Sequence, residues 1–290
     1  MTCVAPYPIL GGLHAYAHPM SVIERVHLMK FEGSSIGRFR EALARKVVLG
    51  TFSKTLDPAF IEILGHTGFD FVVLDMEHGP NTVVSLQNHI RAAEATGLFP
   101  IVRVRENEPS LISEALDAGA GGIQVPQISC RQEAEEVIRA ARFAPLGMRG
   151  VCRFVRAADY SSLDRYEYFA RSNTSLAVVQ LEGTTAIDNI QEILSVSDLD
   201  IIFVGPYDLS QSLGIPGDVE NPRVVQAMRT IVEECRKRNM AAGTFVDTID
   251  AAKRWCDAGL RYLCYSVDVG LFTEKCRETT RLLRDEEGAP

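Results

Sequence analysis

Eight short apolar runs, with helix-like segments between them, constrain the fold of this chain more than any other feature. They fall at residues 47–52, 69–75, 100–104, 122–126, 176–182, 200–205, 240–245 and 262–266. Each is rich in Val, Ile, Leu or Phe and nearly continuous rather than alternating, the pattern of a strand buried on both faces. An amphipathic helix begins near Ser35, marked by Phe39, Leu43 and Ala44. Asp57 and Pro58 read as the cap and first residue of the next helix. Further helices are expected over 82–95, 110–118, 131–143 and 222–238, with one ending near 194 and a last one near 283. The stretch from Pro145 to Ser172 reads as a long excursion with some helix.

Eight strands alternating with helices favour an α/β fold closed as a (β/α)8 TIM barrel over an open doubly wound sheet. No G-x-G-x-x-G or G-x-x-x-x-G-K-[ST] follows any strand, which sets aside dinucleotide and P-loop nucleotide binding. One barrel takes about 250 residues, so the chain reads as a single barrel domain over 35–284. An N-terminal extension over 1–34 and a tail over 285–290 flank it. The extension mixes Pro, Gly and His14, His18 and His27, and is expected to be poorly ordered. Pro19 disfavours a helix that would pair His14 with His18, so no metal site is expected there.

A net charge of -8 argues against a nucleic-acid or anionic-membrane partner, which calls for a basic face. No apolar run approaches the roughly 18 residues of a membrane helix. The seven cysteines form no C-x-x-C pair, which points to free thiols in a reducing, cytoplasmic setting and away from Cys-ligated zinc. No basic segment precedes the first apolar residues, so a secretory signal is not expected.

In a barrel the C-terminal strand ends meet on one face. The second run stops at Asp75-Met76-Glu77-His78-Gly79-Pro80, delivering ionisable groups there. His78 suits a general base at neutral pH, with Asp75 orienting its ring. Glu77 reads as turned away from Asp75. Arg103 is a charge inside an apolar strand and needs an anion, either a substrate oxygen or a carboxylate of the second strand. Gln180 and Glu182 end the fifth run, and Gly205-Pro206-Tyr207-Asp208 the sixth. Glu182 and Asp208 are hard oxygen donors suited to Mg²⁺ or Mn²⁺. Lys54 is a weaker candidate for a Schiff base, since nothing nearby in sequence would free its amine of a proton.

Together, Leu74-Asp75-Met76-Glu77-His78-Gly79-Pro80-Asn81, Val102-Arg103, Pro145-Leu146-Gly147-Met148-Arg149-Gly150, Gln180-Leu181-Glu182 and Gly205-Pro206-Tyr207-Asp208-Leu209-Ser210 resemble the HpcH/HpaI aldolase family. The likeness runs from about Arg38 to Leu283. It implies a class II aldolase that cleaves a 4-hydroxy-2-oxo acid to pyruvate and an aldehyde, or joins them, through a pyruvate enolate. Glu182 and Asp208 would hold the divalent ion, Mg²⁺ or Mn²⁺, with Co²⁺ or Zn²⁺ as alternatives. Gln180, Gly205, Pro206, Tyr207 and Asp208 would line the pyruvyl pocket, Arg103 would steady the enolate oxygen, and His78 with Asp75 would move the proton. The partners implied are small molecules and further copies of the chain, as a hexamer. Two departures bear on the aldehyde half: the first strand lacks a tryptophan, and Tyr207 replaces a common alanine. Oxaloacetate decarboxylation or an enolate-capturing synthase would use the same groups. A citrate-lyase-like CoA-ester enzyme or a non-catalytic barrel ranks lower.

Overall fold

The computed structural model of the chain describes residues 34–287. The expectation for residues 1–33 lies outside them. Eight parallel strands close into a barrel in sequential order. They are β1 (Val48–Ser53), β2 (Phe71–Asp75), β3 (Phe99–Arg103), β4 (Gly122–Val125), β5 (Leu176–Leu181), β6 (Ile201–Val204), β7 (Ala241–Val246) and β8 (Tyr262–Val267).

Strand periodicity sorts the core into two shells. Val72, Leu74, Val102, Ile123, Val179 and Ile202 face outward and pack under the helices. Phe71, Val73, Phe99, Ile101, Leu176, Val178, Ile201 and Phe203 face inward and fill the barrel. Continuing the inward parity to the C-terminal ends gives Asp75, Arg103, Gln180 and Gly205. The register agrees, since Asp75 pairs with Arg103 across β2–β3 and Arg103 with Gln124 across β3–β4. One inward layer of a hydrophobic barrel is therefore polar.

Helix α1 (Ser35–Arg45) closes the opposite end of the barrel. Its Phe39 stacks on Phe99 with ring centroids 4.3 Å apart and meets Phe71 edge-on at 5.8 Å. The Ser34 hydroxyl accepts from the Gly37 N–H at 3.0 Å and starts the helix. Helices α2 (Pro58–His66), α3 (Val83–Thr96), α4 (Pro109–Asp117) and α5 (Arg131–Ala141) follow the first four strands. Asp57 caps α2 through the Ala59 N–H at 2.9 Å, as its place before Pro58 suggested.

The excursion after α5 contains a 3-10 turn at Arg156–Ser161 and α6 (Arg165–Ser172). The stretch after β5 is two short pieces, α7 (Thr184–Asp188) and α8 (Ile190–Ile193), rather than one helix. A short helix, α9 (Pro206–Ser212), starts directly after β6, where sequence reading saw only a strand end. Pro206 at its first position was the available signal. The outer shell is completed by α10 (Pro222–Lys237), α11 (Ile249–Asp257) and α12 (Asp268–Glu287). The last helix runs on through Glu287, past the expected end near 283. Among the described residues no helix is long and apolar enough to cross a membrane.

Candidate active site

Asp75 sits at the end of β2 with no exposed surface. Its carboxylate accepts from Arg103 in two parallel bonds, Nε to Oδ1 at 2.9 Å and Nη2 to Oδ2 at 2.7 Å. Lys54 Nζ lies 3.0 Å from Oδ2, and the backbone N–H groups of Glu77 and His78 donate to Oδ1 at 3.0 and 3.3 Å. Burial pushes this carboxyl up, but the bonds and charges of Arg103 and Lys54 outweigh it and hold it at about 2.

This corrects the expected dyad. Asp75 does not orient the His78 imidazole; both of its oxygens are taken by stronger, cationic donors. The His78 side chain is 61% exposed, and its Nε2 lies 3.9 Å from Glu77 Oε1, outside hydrogen-bond range. What fixes His78 is its backbone: the N–H donates to Asp75 and the carbonyl accepts from Lys54 Nζ at 3.3 Å.

Glu77 is also corrected. Residues two apart share a face, so Glu77 follows Asp75 inward rather than away. Its Oε2 approaches Arg103 Nη1 to 3.0 Å, yet off the hydrogen-bond direction, so the contact is an ion pair only. Burial pushes the Glu77 carboxyl up, against the nearby charges of Arg103 and His78. Arg103 thus meets two second-strand carboxylates, the internal pairing that sequence reading left open. Its guanidinium also stacks over the Phe52 ring at 4.6 Å.

Glu182 follows β5 and is nearly buried. Its Oε1 accepts from Gln180 Nε2, whose Oε1 accepts from Gln124 Nε2 at 2.5 Å. Tyr262 Oη donates to Gln124 Oε1 at 3.3 Å, so a buried polar chain fixes the Gln180 amide. Gln124 and Tyr262 escaped sequence reading, although Gln124 interrupts an apolar strand as Arg103 does. Burial raises the Glu182 carboxyl to about 7, with Asp208 and Glu77 adding negative charge nearby.

Gly205 brings Glu182 and Asp208 together. A Cβ built there would lie 3.4 Å from Glu182 Oε1 and 3.5 Å from Asp208 Oδ2. Both carboxylates border the same small space, which the missing side chain leaves open. Two hard oxygen donors with nearby negative charge and room between them fit a divalent cation. Among the described residues no cluster of three or more His, Cys, Asp or Glu completes a ligand shell, so water and substrate oxygens would fill the remaining positions. Gly205→Ala is expected to weaken Mn²⁺ binding at least tenfold, because the methyl enters that space; titration calorimetry reads it.

Lys54, His78, Arg103, Gln180, Gly205, Pro206, Tyr207 and Asp208 line one cavity of about 360 Å³. Phe52, Phe203, Phe245, Asp247 and Val267 complete its wall. Lys54 is ion-paired rather than set in an apolar niche, which disfavours a Schiff base. Asp268 holds its loop, accepting from Ser53 Oγ at 2.8 Å and from the Lys54 and Thr55 N–H groups at 2.9 and 3.1 Å. A larger cavity, about 610 Å³, lies at the other end against α1; none of the candidate catalytic, metal-binding or substrate-binding residues lines it.

The profile of the HpcH/HpaI aldolase/citrate lyase family matches residues 48–274, nearly the whole barrel. The chain belongs to this family. As an HpcH/HpaI member it is a lyase of the class II, divalent-metal-dependent aldolase type. It is 33% identical over 250 residues to 5-keto-4-deoxy-D-glucarate aldolase of Shigella boydii, covering 86% of this chain and 95% of that one. The barrel superposes on an HpcH/HpaI aldolase/citrate lyase family protein from Burkholderia cenocepacia with a TM-score of 0.81. That pair is 32% identical, covering 85% of this chain and 99% of the other. The citrate synthase SbnG is also similar, at TM-score 0.78 and 27% identity, covering 88% and 98%.

Proposed function

We propose that this HpcH/HpaI protein cleaves a 4-hydroxy-2-oxo acid of the keto-deoxy sugar-acid type to pyruvate and an aldehyde, and catalyses the reverse addition. The observation that carries the reading is the meeting of Glu182 and Asp208 at Gly205, with Gly205 and Asp208 lining the same cavity as His78 and Arg103. The 33% identity with a keto-deoxy-glucarate aldolase supports the pyruvate-forming half of this reading.

Glu182 and Asp208 would hold Mg²⁺ or Mn²⁺, which supplies Lewis acidity toward the keto and carboxylate oxygens of the pyruvyl group. Gln180, locked by Gln124, orients Glu182. The N–H groups of Tyr207 and Asp208 lie in the first turn of α9, where they have no intrahelical acceptor, and can receive the pyruvyl carboxylate. Arg103 keeps N–H groups beyond those given to Asp75 and faces the oxygen on which enolate charge develops. His78, with its ring open to solvent, takes the proton of the C4 hydroxyl, directly or through one water. The C3–C4 bond then breaks, its electron pair moves toward the C2 oxygen, and the aldehyde leaves. Protonation at C3 gives pyruvate.

His78→Ala is expected to lower kcat for cleavage about 10²- to 10⁴-fold while the KM for pyruvate changes little. Steady-state kinetics in both directions reads this, and full activity in the variant would remove His78 as the base. Release of CO₂ from oxaloacetate, with no aldehyde turned over, would favour the decarboxylase reading instead. Exposed Val269, Phe272, Leu282 and Leu283 on α12 support association with further copies of the chain, a hexamer in this reading.

A further inference from the structure

The mouth of the cavity carries a pair of side chains that the cleavage chemistry does not use. Tyr207 lies in the first turn of α9, and Asp247 directly follows β7. Tyr207 Oη donates to Asp247 Oδ2 at 2.5 Å, and its ring meets Phe245 edge-on with centroids 6.0 Å apart. Tyr207 and Asp247 both line the cavity. Asp247 Oδ1 has no hydrogen-bond partner among the described residues, and no cation pairs with the carboxylate there.

Across the cavity the charge situation is opposite. The Lys54 ammonium is committed, at 3.0 Å to Asp75 Oδ2 and at 3.3 Å to the His78 carbonyl. Arg103 is matched by Asp75 and Glu77. The cations near the site are therefore already balanced, whereas Asp247 presents uncompensated negative charge and a free acceptor atom. Phe52, Phe245 and Val267 form an apolar wall beside the pair, while Tyr207 and Asp247 themselves are open to solvent at the rim.

We propose that Asp247, held at the mouth by Tyr207, selects the aldehyde half of the substrate, favouring uncharged hydroxylated aldehydes over aldehydes that carry a carboxylate. A hydroxyl can donate to Asp247 Oδ1 in a charge-assisted bond. A carboxylate in the same place meets like charge with no free cation to offset it, which is discrimination by repulsion. This inference rests on the aldolase reading.

The test compares two acceptors of the same carbon count, glycolaldehyde and glyoxylate, with pyruvate and Mn²⁺. The quantity read is the kcat/KM ratio of glycolaldehyde to glyoxylate in wild type, D247N and D247S. Taking the ratio within each protein cancels differences in intrinsic aldehyde reactivity and in the amount of folded enzyme. Removing the charge is expected to lower the ratio about tenfold in both variants, through the aldehyde KM rather than the pyruvate KM. A fall of threefold or more supports the assignment; a smaller change overturns it. Deuterium exchange into the pyruvate methyl by the wild type, with no aldehyde present, tests the parent reading separately. Exchange with an unmoved ratio overturns the selectivity alone, and no exchange overturns the cleavage on which it rests.

Discussion

Glu182→Ala and Asp208→Ala are each expected to lower metal-dependent turnover about 10³-fold or more while the barrel stays folded. Each removes one of two protein donors, and Lewis-acid stabilisation of transition-state charge is worth several kcal/mol, with about 1.4 kcal/mol per tenfold in rate. The two variants should differ in stability. Glu182 is nearly buried among acids, and its carboxyl sits at about 7 because burial and the charges of Asp208 and Glu77 resist ionisation. A folded-state value above the unfolded one means that ionising Glu182 destabilises the protein as pH rises from about 4.5 toward 7. Without added metal, Glu182→Ala should therefore lower Tm less at pH 8 than at pH 5, or even raise it. Asp208 is exposed, and its loss should leave Tm nearly unchanged. Mn²⁺ should raise the Tm of the wild type and of neither variant. Melting curves with Mn²⁺ and with EDTA separate lost ligation from lost folding.

Asp75→Ala is expected to destabilise the barrel by about 3–5 kcal/mol, the usual result of removing one partner from a buried ion pair. Arg103 would be left without its bidentate acceptor, and Lys54 without its carboxylate. Two backbone N–H groups, of Glu77 and His78, would lose their acceptor as well. Activity should fall together with stability, because both Arg103 and the His78 backbone are placed by this one carboxylate. Asp75→Asn keeps the shape and isolates the charge. The folded carboxyl lies at about 2, below its ordinary value of 3.8, so its contribution is fully present above about pH 4 and is lost as pH falls through 2. The stability gap between wild type and Asp75→Asn in urea should therefore be largest at pH 6 and narrower at pH 3. A gap that widens toward pH 3 would contradict the ion-pair assignment.

The barrel was legible because its signal is periodic and repeated. Eight apolar runs buried on both faces leave few alternatives, and every strand lies within about two residues of its expected place. The strand ends were legible for the same reason: an Arg, a Gln or a Glu at the end of an apolar run has to meet something polar. What sequence could not supply was the choice of partner. Asp75 and His78 look like a catalytic pair at three residues' spacing, but a buried guanidinium from β3 and the ammonium of Lys54, just past β1, compete for the same two oxygens. Nothing local to 75–78 announces that competition. Glu77 was misjudged although parity alone would have placed it inward. Asp247 follows a strand whose one polar residue is Thr244, so only closure of the barrel brings it against Tyr207.

A divalent cation, Arg103 and His78 are expected to share one cavity over a three-carbon keto acid. A crystal soaked with Mn²⁺ and pyruvate tests it most directly, through anomalous scattering from the ion. The expected result is a single strong peak over Gly205, about 2.1 Å from a carboxylate oxygen of Glu182 and from one of Asp208, with pyruvate reaching toward Arg103. A peak elsewhere in the barrel, or pyruvate bound without contact to the ion between those two carboxylates, would contradict it.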